Sequence, residues 1–427
     1  MLGRLYTETW FTRNNHTAPP PAERAPAMTA PRPGPQSPQC RSRVLGSIDE
    51  VSPQEWNALL SEDSFFLRHE FLAALEHQAC VGAPSGWTPC HFVLRDLPGR
   101  LRAALPLYRK LHSWGEFVFD FAWAQAYARS GLQYYPKLVA AVPFTPASGP
   151  RLLAAAAPDR DVWQRALARS AVEWARDERA SSLHMLFIDK AQADELVHED
   201  FLLRRDCQFH WHNHGYRSFE DFLAGFTAPK RKKVRRERRR VAEAGIQFRT
   251  MLGGEIDKSL WQTLYGFHAD TFLRHGHTPY LSLGFFLELA ERLPDNIVVQ
   301  LALHRSTPVA AAICFRSESA LYGRYWGAAR DFHSLHFEAC YHQGIEYCIS
   351  QRLARFEPGT QGEHKVSRGF EPTLTWSAHW IAHPQFARAI AEYLQREGEA
   401  IEGYAAEVDE HVPYRRTAEG GVAERGS

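Results

Sequence analysis

The stretch IVVQLALHRSTPVAAAICFRSESALYGRYW, residues 297–326, decides the fold class. It contains three apolar runs, Ile297–His304, Val309–Arg316 and Leu321–Trp326, parted by short polar breaks. Val, Ile, Phe and Tyr favour extended chain, and breaks this short return the chain alongside itself. The stretch therefore predicts a series of antiparallel strands. A helix over Phe337–Leu353, a strand at Ala354–Glu357, a strand at Thr375–Ala382 and a helix over Gln385–Glu410 follow. Ahead of it lie a strand at Ile246–Met251 and helices at Lys258–Arg274 and Leu283–Leu293.

The same order of elements occurs earlier in the chain. Ser52-Pro53-Gln54-Glu55 reads as a capping box opening a helix. A second helix covers Phe66–His77, and strands follow at Cys90–Arg95, Leu101–Tyr108 and Lys137–Val142. A helix at Asp159–Glu178 leads to strands at Ser182–Ile188 and Cys207–Asn213. The reading is an α/β (α+β) chain of two similar halves, residues 43–216 and 217–414, each a mixed, largely antiparallel sheet flanked by helices. Residues 1–42 and 415–427 read as tails. Eight of the 26 prolines fall between Pro19 and Pro38, a composition that buries too little apolar surface to offset its ordering entropy.

Composition narrows the classes. Of 427 residues, 23% are charged and 44% hydrophobic, which excludes disordered, collagenous and coiled-coil chains. Seven widely spaced cysteines with no CxxC pair argue against a disulfide scaffold or a Cys-rich zinc site. No run of about 18 apolar residues and no secretory apolar core is present, so reduced thiols and a cytoplasmic location are expected. His210, His212 and His214 alternate on one strand face, but no partnering carboxylate is evident and no metal is expected. Gly-rich phosphate loops and a GxSxG elbow are missing.

The net charge of +1 conceals an asymmetry. Residues 230–240 hold nine Lys/Arg and one Glu, a net +8, leaving −7 for the remainder. TAPKRKKVRRERRRVAEAG, Thr227–Gly245, predicts a helix with Thr227 as N-cap, Pro229 in the first turn and Gly245 just past the end. Its apolar seam is thin: Val234, Val241 and alanines. Like charges at i,i+4 cost a few tenths of a kcal/mol per pair. A solvated face is one reading; a surface for phosphate groups is the other, since arginine forks match phosphate oxygens. Lys232, Arg235, Arg236 and Arg239 are the candidate phosphate ligands, joined by Arg324 and Trp326 at the end of a strand.

FEPGTQGEHKVSRGF, Phe356–Phe370, gathers Glu363, His364, Lys365 and Arg368 among glycines. A carboxylate or imidazole takes a proton from an attacking amine, and a cation steadies an oxyanion. Glu338 and Tyr341, opening the preceding helix, are expected to face this segment. A Cys340 nucleophile is the weaker idea, because a small buried cysteine is common.

Together with GRYWGA (323–328), LHFEACYHQGIEYCI (335–349), TWSAHWI (375–381) and DFAWAQAYARSGLQYYPKLVAAVPFTPASGPRLL (120–153), these segments resemble the FemAB-like proteins of the GNAT-type acyltransferase superfamily. The resemblance covers about Val44–Tyr414. It implies two tandem GNAT-like domains. It also implies transfer of an acyl or aminoacyl group to an amine, with a peptidoglycan precursor as acceptor. The Fem transferases carry an Arg/Lys-rich segment ahead of a glycine, similar to Lys232, Arg235, Arg236 and Arg239 before Gly245. They also carry a lysine shortly before Gly-Phe, similar to Lys365 before Gly369-Phe370, although Val366, Ser367 and Arg368 intervene here. Acyl-CoA-dependent GNAT enzymes show an Arg/Gln-x-x-Gly-x-Gly/Ala loop where this chain reads GAARDFHSLHFE after Trp326. No bound cofactor is expected. The co-substrate is acyl-CoA or aminoacyl-tRNA, and the partner a phosphorylated small-molecule or lipid-linked acceptor, or tRNA. Two alternatives stand beside the transferase: a non-catalytic module binding a phosphorylated cell-wall precursor or RNA, and an acetyl-CoA-dependent N-acetyltransferase.

Overall fold

The structure, a computed structural model, describes residues 38–330, 332–359 and 362–415. Most of the chain is organised on one mixed sheet of eleven strands. Their order is Ile246–Leu252, Ile297–His304, Thr307–Arg316, Ala320–Ala328, Arg355–Glu357, Leu202–His212, Glu371–Ile381, Ser182–Ile188, Lys137–Ala140, Leu107–Lys110 and Trp87–Pro89. A smaller sheet joins Cys40–Leu45, His91–Asp96, Leu101–Leu105 and Leu153–Ala154.

Each half contributes one parallel pair: Lys137–Ala140 beside Ser182–Ile188, and Ala320–Ala328 beside Arg355–Glu357. A helix crosses over within each pair, Arg160–Asp177 in the first and the helical run Leu335–Gln351 in the second, as parallel neighbours require. Then the halves exchange strands. Leu202–His212, from the first half, pairs with Arg355–Glu357 of the second, and Glu371–Ile381, from the second, pairs with Ser182–Ile188 of the first. The two exchanged strands pair antiparallel with each other at the middle of the sheet, from Glu371↔His210 to His379↔Leu202.

Packing follows the same interlock. Phe66 of the first half meets Tyr322 of the second at 4.9 Å, Phe65 meets Phe315 at 5.5 Å, and Phe71 meets Phe285 at 5.4 Å. Asp63 accepts hydrogen bonds from the Ser317 and Ser319 hydroxyls. A chain cut between residues 216 and 217 should therefore give two fragments that each lack the central strand partner. We expect neither fragment alone to show a cooperative melting transition in circular dichroism, and the intact chain to melt in one step.

Most predicted elements are present, with informative differences. The expected strand Leu101–Tyr108 is two strands, one in each sheet, because Pro106 has no N–H to offer a ladder. The helix expected over Phe337–Leu353 contains a π-helical turn at Glu338–His342. The first strand starts at Cys40, inside the stretch read as a tail; residues 1–37 and 416–427 lie outside the described residues.

Candidate active site at a parting pair of strands

The parallel strands Ala320–Ala328 and Arg355–Glu357 pair at only three positions: Ala320↔Arg355, Leu321↔Phe356 and Tyr322↔Glu357. Beyond Tyr322 the longer strand runs on without that partner. A bulge lies at the same point: Ile313 pairs with Tyr325 and Cys314 with Gly323, leaving Arg324 as the extra residue. Bulges re-aim side chains beside functional sites. Gly323 suits the place, since a Cβ there would meet Pro358 Cα and the Phe356 ring at 3.3 Å.

Lys365 lies in the 3-10 turn Glu363–Arg368, which ends at Gly369 with φ +93°. A Cβ on Gly369 would come within 2.6 Å of the Phe222 ring, so glycine is needed there for both reasons. Lys365 is buried and donates to the Gly359 carbonyl at 2.6 Å. Burial, and then the positive charge of Arg324, push its amine down to about 7. A lysine half-neutral at physiological pH both accepts and donates a proton readily.

His364 is the exposed neighbour of this lysine, and its Nε2 lies 2.8 Å from the Tyr341 hydroxyl. Partial burial, then Lys365 and Arg368, hold the imidazole below its ordinary pKa, so the ring is neutral. Tyr341 faces the segment as expected. Glu338 does not: it accepts from Arg238 Nε at 3.1 Å and Gln343 Nε2 at 2.7 Å. Glu363 is exposed and takes the Tyr404 hydroxyl at 3.0 Å. Arg368 is committed elsewhere, bidentate to Glu237 at 2.7 and 3.1 Å, with its guanidinium 3.5 Å from the centre of the Phe337 ring. Trp326 is half-buried against His336 at 5.4 Å. Burial raises the Cys340 thiol well above its ordinary value, which leaves no thiolate for nucleophilic attack.

The basic helix spans Ala228–Glu243 with Thr227 at the N-cap, where its side chain makes no capping bond, and Gly245 at φ +74°. Val234 and Val241 are buried as the seam requires, and so is Glu237 between them, the one acid of the run. Sequence reasoning missed that glutamate's role; its place at i+3 from Val234 was the available signal. With the acid turned inward, the outer face carries exposed Lys232, Arg235, Arg236 and Arg239. Arg235 and Arg239 pair with Glu220 and Glu243; among the described residues Lys232 and Arg236 have no carboxylate partner. Lys233 donates to Ser367 at 3.4 Å, so the inner edge of this helix touches the turn that carries Lys365.

The three histidines do share a face, with ring centroids 6.5 Å apart from His210 to His212 and from His212 to His214. His210 is bonded to Gln208, and burial pushes it down to about 4. Among the described residues no group of three His, Cys, Asp or Glu side chains is placed to hold a metal ion.

Two tandem GNAT-like halves, sharing a sheet and each with one parallel pair, define the class of protein. The chain belongs to the FemAB-like family, described as peptidoglycan biosynthesis/recognition, whose model matches residues 47–416. Among solved structures, FemX aligns with a TM-score of 0.50 at 11% identity over 80% of this chain and 98% of its own. The C-terminal domain of a lysylphosphatidylglycerol synthetase from Agrobacterium fabrum aligns with a TM-score of 0.47 at 11% identity, over 82% of this chain and 97% of its own. A tandem GNAT protein from the clavulanic acid biosynthesis pathway gives 0.43 at 13% identity, over 81% and 99%. No curated protein matches the sequence. Among the described residues no helix is long and apolar enough to cross a membrane.

Proposed function

We propose that this protein transfers an acyl or aminoacyl group to an amine on a peptidoglycan precursor, with the chemistry at the parted strands. One observation carries the reading: the buried Lys365 amine, poised near neutrality where the two parallel strands separate. The acceptor amine attacks the carbonyl carbon of the donor ester. Its surplus proton passes to neutral Lys365 or His364, the bond from that carbon to the leaving oxygen breaks, and a proton is returned to that oxygen. Glu363, exposed and bound by Tyr404, takes no part in this scheme.

The basic helix binds the phosphates of the donor. Aminoacyl-tRNA suits it better than acyl-CoA, because the CoA-type loop is missing after Trp326 while a row of cations lies along an exposed helix face. Membership of the family supports the peptidoglycan precursor as acceptor.

Lys365→Met should lower turnover by about a hundredfold, in the range expected for a general base. In the unmodified protein the rate should rise with pH through about 7 as Lys365 loses its proton, and that limb should vanish in the variant. Turnover within a factor of two, or an unchanged pH profile, sinks the assignment. Lys232→Glu/Arg236→Glu should leave the melting temperature nearly unchanged, both residues being exposed. It should also flatten the fall of log affinity for tRNA with log salt, by about one for each phosphate no longer bound.

A further inference from the structure

Other enclosed arginines in this protein set at least two guanidinium nitrogens on acceptors, although Arg151 keeps a buried Nε without one. Arg204 places Nε and Nη2 on Glu397, each at 2.8 Å. Arg368 places the same two nitrogens on Glu237, at 3.1 and 2.7 Å. Arg151 donates through both terminal nitrogens to the Ala147, Gly149 and Pro150 carbonyls. Arg324 breaks the pattern. Its Nε and Nη2 are shut away from solvent and neither meets an acceptor. The guanidinium has the Phe66 ring beside it, 5.6 Å from the centroid. A buried donor left without a partner is costly, and a buried cation more so. Native proteins retain such a group where function requires it.

The surrounding charge points the same way. Glu357 is a carboxylate that acts on Arg324. Its Oε1 already takes Arg355 Nε at 3.0 Å, while its Oε2 is buried without a partner. Lys365 adds a further positive group, through its mutual repulsion with Arg324. Arg324, Arg355 and the partly charged Lys365 thus gather at the parted strands, with Glu357 and Asp63 both acting on Arg355 rather than bonded to the Arg324 fork. The bulge supplies the remaining condition, because it is what gives Arg324 its separate direction.

We infer that the Nε–Nη2 fork of Arg324 seats an anionic group of the substrate, a carboxylate or a phosphate, bound bidentate. Two coplanar oxygens accept the two parallel N–H bonds, as Glu397 and Glu237 do for Arg204 and Arg368. The substrate that reaches the parted strands is then an acid-bearing molecule, a narrower class than amines at large. The inference deepens the transferase reading and rests on it for the word substrate. Anion binding itself is measurable without turnover, so the two can fail separately.

Calorimetric titration at low salt tests it. The probes are inorganic phosphate and N-acetylglycine, with N-acetylglycinamide as the uncharged control. We expect one N-acetylglycine per chain, a phosphate site that competes with it, and no binding of the amide. Arg324→Met should weaken anion binding at least roughly tenfold. Arg324→Lys should weaken it too, because an ammonium keeps the charge but loses the fork. Lys258→Glu, a charge reversal at an exposed position on another helix, should leave this site's affinity within about twofold. Without anions, Arg324→Met should melt at the same temperature as the unmodified protein or higher, since two enclosed, unpaired donors have been removed from a half-buried cation. Preference for phosphate or for carboxylate names the group the fork takes, and either supports the inference. Anion binding that survives Arg324→Met, absence of binding at millimolar probe, or loss of folding in Arg324→Met alone would overturn it.

Discussion

Glu237→Gln should lose about 3 kcal/mol of unfolding free energy, a large share of the 5–15 kcal/mol typical of a domain. Glu237 takes both fork nitrogens of Arg368, and His342 Nε2 lies 3.4 Å away. Burial alone would raise its carboxyl pKa; the His342 and Arg368 contacts outweigh burial and hold it low. Arg368 side-chain exposure is 3% and Glu237 10%, so removing the negative charge leaves a guanidinium in the interior. Such an uncompensated ion costs more than the pair contributed, so a double substitution, Glu237→Leu/Arg368→Met, should recover most of the loss. Urea unfolding should show a lower midpoint for the single variant at an unchanged slope. The effect should reach activity as well, because this pair ties the basic helix to the turn that carries Lys365. A single variant as stable as the unmodified protein would show that the pair does not hold the helix.

Acid should unfold this protein well above the usual carboxylate range. Burial pushes His184 down to about 3 and His210, His268 and His336 to about 4, and it holds His379 well below its ordinary value. His184 and His379 bring their Nδ1 atoms within 2.7 Å, where one proton serves both rings. A depressed histidine stays neutral when folded but takes a proton near pH 6.5 when unfolded. Its stability contribution is therefore complete above the unfolded pKa and drains away as pH falls toward the folded one. Carboxyls raised by burial oppose this: Glu116, pushed up to about 7, and Asp206 gain stability as pH falls, whereas His77, raised by hydrogen bonds to Asp49 and Glu288, already makes its full contribution below about 6.5. The depressed histidines outnumber the raised carboxyls, so stability should fall by a few kcal/mol per pH unit below about 6.5. A loss of that size exhausts typical stability within about two units. Circular dichroism against pH should show cooperative unfolding centred between about pH 5.5 and 4.5. A native spectrum retained at pH 4 would mean the histidines are not buried neutral.

How far the sequence led can be judged from particular elements. Ile297–His304, Ser182–Ile188 and Lys258–Arg274 end where periodicity and caps place them, because those signals are local. The strand exchange was not readable. Which strand lies beside Arg355–Glu357 depends on partners some 140 residues away, and a single sequence gives no pairing signal over that distance. The helix Phe121–Arg129 escaped notice because its exposed positions are mostly apolar or small and blur the helical stripe. At the candidate site, His364 and Tyr341, proposed from residue types, are hydrogen-bonded, and Lys365 follows His364 in the same turn. Arg368 and Glu338 were proposed as well, but chemistry alone could not tell that buried and half-buried partners already occupy them. Glu237 looked like a lone acid in a basic run, and only packing shows that it faces inward.

The most direct test of the central claim is transfer itself. A labelled aminoacyl-tRNA pool would be incubated with soluble peptidoglycan precursors and the protein, or with its Lys365→Met or Lys232→Glu/Arg236→Glu variants. The account predicts labelled amide product with the unmodified protein, about a hundredfold less with the lysine variant, and a salt-sensitive loss with the helix variant. Saturable tRNA or precursor binding with no product, or product formed equally by Lys365→Met, would contradict it.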